Sequence, residues 1–356
     1  MKFKILQNNI SYFLVILLIF TFVKQLEAAS PSYQPAPLRN QSLLFETRGK
    51  AIREIKLDVS SIKKPVVKKI TNSKTPYRNK FWKVEGKSYD IPIRVNSKVK
   101  SILRKFASKN RKHLIVGIQR SGKFMPMITR MLQKEGMPLD LAYMVPVESN
   151  FNVRARSNKS AVGLWQFIPS TGRIYGLKIN RWIDERKDPV LATKAAITYL
   201  KHLYGIFGDW ELAMAAYNSG EGRVKRAINR AKKKGRKHNF WSLRLPRETR
   251  GYVPSIMAMA VIYKNPKRYG YGHVVPLSPM DETKASLTVA FSLEEVAKRS
   301  KMSFSVLRDK NPALFLGVPP MTQTSYSFYV PQSNRQELMT SLKQKPNPSK
   351  KWGHSY

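Results

Sequence analysis

The sequence predicts a mainly α-helical protein that ends in a small strand–helix–helix–strand (βααβ) module. Three observations predict this. Apolar residues recur at helical spacing in successive segments between Val99 and Tyr263. Helix boundary residues punctuate those segments, as at Asp188-Pro189 and Gly220. From Ser286 onward the pattern shortens: LTVAF and SYSFYVP read as strands, with SLEEVAKRS and SFSVLRDKNPAL as short helices between them.

Taken in order, Asn96 caps an expected helix through Ala107, with Val99, Ile102, Leu103 and Phe106 inward. Ser121 is expected to cap a second helix, with Met125, Ile128, Met131 and Leu132 inward. In MPLDLAYMVPVESNF, Leu141, Met144, Val145 and Glu148 fall at i, i+3, i+4 and i+7, and Pro138 suits the first turn. A carboxylate therefore lies on the stripe that packs inward. Burial raises its pKa, and a carboxyl that keeps its proton near neutral pH is what a general acid requires. The same spacing also suits a glutamate at a helix end, bonded to a neighbouring loop.

Further on, Asp188 caps a helix through Tyr204 with Leu191, Ala195, Ile197 and Leu200 near its buried side. Asp184 and Glu185 read as partners for Arg181 and Arg186. Trp210 to Tyr217 forms a helix whose alanines permit close packing, stopped at Gly220. Arg223 to Lys237 is a basic run, read as a solvated surface. Glu248-Thr249 precede a helix expected from Tyr252 to Lys264, and Glu248 is read as bracing its start.

Three ordered motifs carry a resemblance: Glu148-Ser149, then Gly163-Leu164-Trp165-Gln166-Phe167, then Ala216-Tyr217-Asn218-Ser219-Gly220. RKDPVLATKAAITYL, GDWELAMAAYNSGEGRV and ETRGYV flank them. In these the chain resembles the lytic transglycosylases of the goose-type lysozyme fold, in particular the membrane-bound murein type D. The resemblance implies a lysozyme-like helical catalytic domain over 91–272 and a LysM-like module over 285–332, where Ser292 and Glu295 form a capping box and Asn311-Pro312 match the family's turn.

It further implies that Glu148 protonates the bridge between N-acetylmuramic acid and N-acetylglucosamine in peptidoglycan. The same residue then takes the proton of the muramoyl 6-hydroxyl, leaving a 1,6-anhydro end. Ser157 would lie near the substrate's acetamido group and Tyr217 on the acid's side of the groove, with Gly163, Trp165, Gln166 and Asn218 completing the substrate-binding set. On the residues alone, Ser157 also reads as a turn hydroxyl, Trp165 as core filling and Asn218 as closing its turn. Gly163 permits close backbone approach, and the Gln166 amide offers both a donor and an acceptor. Spacing alone supports only glycosidic cleavage. A hydrolytic muramidase, with Glu248 or Asp184 as a second carboxylate, and a non-catalytic wall-binding protein stay open.

At the N-terminus, Lys2 and Lys4, an apolar run from Ile10 to Val23 and Ala28-Ala29-Ser30 read as a secretory signal over 1–29. The expectation is an exported, periplasmic or envelope protein that is membrane-associated only if this segment is retained. Residues 30–90 read as a basic, proline-containing linker and 333–356 as a basic tail that frays. The chain has no cysteine, which excludes disulfides, thiolate metal sites and attachment of a lipid to cysteine. Its five histidines show no metal-ligand spacing, so neither metal nor cofactor is expected. The formal net charge of +43 favours polyanions. An export signal points that charge at envelope polyanions ahead of nucleic acid, and a generally basic composition that reports little about the partner stays open between them.

Overall fold

The computed structural model describes residues 82–107, 110–280, 282–287, 292–315, 317 and 326–343. The expected signal, most of the expected linker and the chain after 343 lie outside the described residues.

The described chain opens with a hairpin, β1 (Trp82–Val84) and β2 (Lys87–Tyr89), in the register Trp82↔Tyr89. Glu85 and Gly86 make its turn, both at positive φ (50° and 72°), the geometry of a tight two-residue hairpin. The assignment of 82–90 to the linker is therefore corrected. These residues are packed structure, and Tyr89 is fully buried. Three apolar positions in a Lys-rich stretch were too few to signal it.

Asp90 then accepts the backbone N–H groups of Leu139 (2.7 Å) and Asp140 (2.9 Å), while Asp140 accepts from the Asp90 N–H (2.6 Å). Lys264 closes the cluster by pairing with Asp140. Burial and the neighbouring Asp90 raise Asp140 to about 6. The hairpin is thus tied to the segment that leads into Glu148.

Helix α1 (Ser97–Ala107) is capped as expected, Asn96 Oδ1 accepting the Val99 N–H at 3.1 Å. Helix α2 (Arg111–Lys134) starts ten residues before Ser121. Ser121 is no cap: it is buried inside α2 and donates to the Ile118 carbonyl (2.7 Å). A 3₁₀ segment, Leu139–Tyr143, leads into the short α3 (Met144–Glu148). The expected single helix is broken at Tyr143, yet Leu141, Met144 and Val145 are all fully buried, so the stripe survives the break.

After α4 (Pro169–Ile174), α5 (Pro189–Phe207) starts at Asp188, whose Oδ1 accepts the N–H groups of Val190 and Leu191 at 2.8 Å each. It stops at Gly208 in the left-handed region. Helix α6 (Trp210–Ser219) is capped by Asp209 and presents Ala213, Ala215 and Ala216 to the core. Helix α7 (Glu221–Lys233) carries the basic run on a mostly exposed face. Helix α8 (Arg247–Lys264) begins five residues earlier than the sequence suggests, which places Glu248 on its first turn. Helix α8 is the central packing element: α1, α3 and α6 all contact it.

The second unit of structure pairs β3 (Glu282–Leu287) antiparallel with β4 (Tyr326–Pro331), from Glu282↔Pro331 to Leu287↔Tyr326. Helices α9 (Leu293–Arg299) and α10 (Phe304–Lys310) lie between them in sequence. The first strand lies earlier than the expected Leu287–Phe291, of which all but Leu287 falls outside the described residues. Ser292 caps α9, accepting the Glu295 N–H at 3.1 Å, but the Glu295 carboxylate turns to Arg299 (2.7 Å). Asn311 bonds both the N–H and the C=O of Tyr329 (2.8 and 2.9 Å), serving β4 as a neighbouring strand would. The expected fraying tail is corrected as far as Lys343. Residues Gln332–Lys343 form α11, anchored by the fully buried Leu338.

Candidate active site

A groove of about 1260 Å³ runs beside α3 and the start of α8, larger than the usual ~300–1,000 Å³ of a small-molecule pocket. Glu148 stands in its wall at the last position of α3, half-buried. Burial lifts its carboxyl from 4.5 to about 7. The Tyr252 hydroxyl pulls the other way, and the charge of Glu248 adds to the rise. The Tyr252 hydroxyl donates directly to Glu148 Oε1. Tyr252 is a functional candidate that the sequence reading missed. It lies within the ETRGYV match, one helical turn after Glu248 and one before Ile256, so it was indistinguishable from a core position.

The turn after Glu148 reverses sharply. Asn150 and Phe151 both adopt positive φ (51° and 57°), and Ser149 donates to the Leu164 carbonyl (2.9 Å). This folds residues 155–167 back along α3, held by the bridges Arg156↔Val162 and Val162↔Phe167. Ser157 lines the groove. Its Oγ accepts the N–H groups of Lys159 (3.2 Å) and Ala161 (3.1 Å). The turn role is thus real, and the hydroxyl proton is left over for a groove ligand.

Gln166 also lines the groove. Its Nε2 donates to the carbonyls of Gly163 (2.9 Å) and Ala155 (3.2 Å). Both amide protons are used, so toward the groove Gln166 offers only its carbonyl oxygen. Gly163 and Trp165 are not part of the groove lining. Gly163 (φ 85°) is approached closely, but by the protein itself: a Cβ there would lie 1.8 Å from the Arg186 carbonyl oxygen. Trp165 is 0 % exposed, and its Nε1 donates to Thr193 Oγ1 at 2.9 Å. Of the two readings of Trp165, substrate binding is corrected and core filling holds, because the 155–167 turn aims this side chain at α5.

Tyr217 lines the groove, ringed by Tyr199 and Phe167 at 5.1 and 6.1 Å between centroids. Its hydroxyl, pushed well above the ordinary range by burial and by Glu148, donates to the Trp165 carbonyl (2.7 Å). Tyr217 thus stands on the acid's side of the groove, and the direct bond to the acid is made by Tyr252. Asn218 reaches α8, donating to Glu248 Oε1 (3.3 Å) and accepting from Thr249 Oγ1 (2.8 Å). The turn beyond it is made by Gly220 (φ 84°).

The two other carboxylates differ sharply. Asp184 is buried and bonded through both oxygens to Arg186 (2.8 Å each), away from the groove. Glu248 lines the groove with its side chain 67 % exposed, within reach of Lys159 Nζ (3.4 Å). Among the described residues no group of three or more His, Cys, Asp or Glu is placed to hold a metal.

Residues 126–240 match the family described as Transglycosylase SLT domain. The matched segment runs from α2 through the loop after α7 and contains Glu148 and the whole 155–167 turn. It stops short of Tyr252, which α8 supplies.

Over 267 residues the chain is 38% identical to the membrane-bound lytic murein transglycosylase D of Escherichia coli K12, covering 74% of this chain and 58% of that relative. Over 128 residues it is 35% identical to the peptidoglycan transglycosylase gp16 of phage T7, covering 35% of this chain and 9% of that one. The 70 kDa soluble lytic transglycosylase of Escherichia coli aligns at 22% identity, with a TM-score of 0.33, over 51% of this chain and 32% of that one. Among the described residues no helix is long and apolar enough to cross a membrane.

Proposed function

We propose that this chain is a peptidoglycan lytic transglycosylase. It would cleave the β-1,4 bond between N-acetylmuramic acid and N-acetylglucosamine and leave 1,6-anhydromuramoyl ends. The observation that carries the reading is one carboxyl, Glu148, set in the wall of a large groove and holding its proton up to about pH 7. Glu148 donates that proton to the glycosidic oxygen as the bond to C1 breaks. The substrate's acetamido oxygen stabilises the cation at C1. The carboxylate left behind takes the proton of the 6-hydroxyl as O6 bonds to C1, which returns Glu148 to its starting form without consuming water. Tyr252 steadies Oε1 throughout. General acid–base assistance supplies about 10²–10⁴-fold. Sugar distortion and groove hydrogen bonds supply the rest, with the Ser157 hydroxyl as donor and the Gln166 carbonyl as acceptor.

The relatives' names support the substrate: they describe murein and peptidoglycan transglycosylases. Export to the envelope and the LysM-like character of the C-terminal unit belong to the same reading. A hydrolytic muramidase is the second reading, because Glu248 shares the groove and could activate a water. Its exposure and its contacts with Lys159 and Asn218 leave it solvated rather than buried opposite the acid. Digestion of purified sacculi followed by mass spectrometry separates the two. Anhydro ends are expected, each lighter by one water than a reducing end. Reducing ends that vanish in Glu248→Gln would establish the hydrolase instead.

A further inference from the structure

We infer that the C-terminal unit positions the catalytic groove through Arg186, beyond any part it plays in holding the wall. The inference rests on the glycan-cleaving function proposed above. Its starting point is the groove wall formed by residues 157–167. Two carbonyls of that wall, Ser160 O and Phe167 O, accept from a single nitrogen, Arg186 Nη1, at 2.7 and 3.0 Å. The remaining guanidinium edge forks onto Asp184, Nε and Nη2 each at 2.8 Å. Such a planar fork has one geometry, which a lysine does not reproduce. Because the pair is buried, its members cannot simply part into solvent.

The segment that carries this clamp is also an edge of the C-terminal unit. The Asp184 N–H donates to Ala313 O (2.8 Å), and the Phe315 N–H donates to Trp182 O (3.0 Å). Between them, Ile183 bridges to Leu314, and its fully buried side chain sits in a core otherwise built from the C-terminal unit, including Leu293, Leu307 and Phe328. Tyr329 donates to Asp188, the cap of α5, at 3.1 Å. Ile183 and Arg186 are three residues apart on a turn closed by the Asn180 N–H to Ile183 O (2.8 Å) and the Glu185 N–H to Lys178 O (2.9 Å). Leu314 thus seats Ile183, the turn orients Arg186, and Arg186 holds the groove wall. Arg186 is a positioning residue that touches no substrate.

The test uses full-length Leu314→Ala, Arg186→Lys and the milder Tyr329→Phe. Hydrogen exchange is read over 155–167, where the Val162 N–H to Phe167 O (3.1 Å) and Gly163 N–H to Ala155 O (3.0 Å) bonds report the wall. Exchange there is expected to quicken about tenfold in the first two variants, and less in Tyr329→Phe, while α8 amides from Val253 to Ile262 stay protected. On soluble glycan oligomers kcat/KM falls, whereas the alkaline limb of the pH profile keeps its position, because the Tyr252 hydroxyl that bonds Glu148 stands on α8 and Tyr217, which also faces it, stands on α6. If α8 also loses protection in Leu314→Ala, Tyr329→Phe decides. Unchanged exchange over 155–167 in Leu314→Ala, or in both Arg186→Lys and Tyr329→Phe, overturns the inference. If the parent protein cleaves no glycan, the proposed function fails while the exchange result still stands or falls by itself.

Discussion

Replacing Tyr252 by phenylalanine removes one oxygen and keeps the ring that α8 buries beside Glu148. That hydroxyl donates to Glu148 Oε1 and favours the ionised carboxylate, opposing the upward push of burial. A hydrogen bond to a charged group contributes about 1.5–3 kcal/mol. One pH unit corresponds to about 1.4 kcal/mol, so losing the bond raises the Glu148 pKa by about one to two pH units from its value near 7. The general acid must be protonated to act, so the alkaline limb of kcat/KM moves up in pH. The plateau rate falls, because Oε1 is no longer held in place. The assay is the pH dependence of anhydro-end release from a soluble glycan oligomer, parent against Tyr252→Phe. A limb that stays put or moves down would refute the assignment of Tyr252 as the group that tunes the acid.

Two further outcomes concern Glu148 and Trp165. Glu148→Gln is expected to abolish clearing of peptidoglycan and also to stabilise the fold at high pH. Between pH 4.5 and about 7 the folded parent holds a proton that the unfolded chain has released, so its stability falls as pH rises through that window. The variant escapes that loss, up to about 3 kcal/mol above pH 7 and none below pH 4.5, read from urea midpoints across pH. Equal midpoints at every pH would contradict a half-buried carboxyl that keeps its proton to about pH 7. Trp165→Phe leaves Thr193 Oγ1 without its indole donor and opens a small void, costing about 1–3 kcal/mol in urea titration. KM for glycan should hardly move, and a large KM rise at unchanged stability would restore Trp165 to the groove.

The sequence by itself determined that Glu148 shares the inward-facing stripe of its segment. The Leu141–Met144–Val145–Glu148 stripe needs only helical geometry to turn Glu148 inward, and it held although the helix breaks at Tyr143. Helix starts at Asn96 and Asp188 were legible for the same reason: a cap is a contact between residues two or three apart. Asp209 caps α6 through a contact of that same short range. Tertiary structure decided everything that depends on contacts far apart in the chain. Tyr252 meets Glu148 from 104 residues away. Trp165 was turned from the groove into the core by a bend whose positive-φ positions, Asn150 and Phe151, carry no glycine to announce them. Arg186 looked like a partner for nearby acids, and it is, for Asp184. Its grip on Ser160 and Phe167 exists only because the chain brings those carbonyls back to it. Local periodicity reports which face is buried, whereas the identity of the neighbour on that face is set by the packing of distant segments.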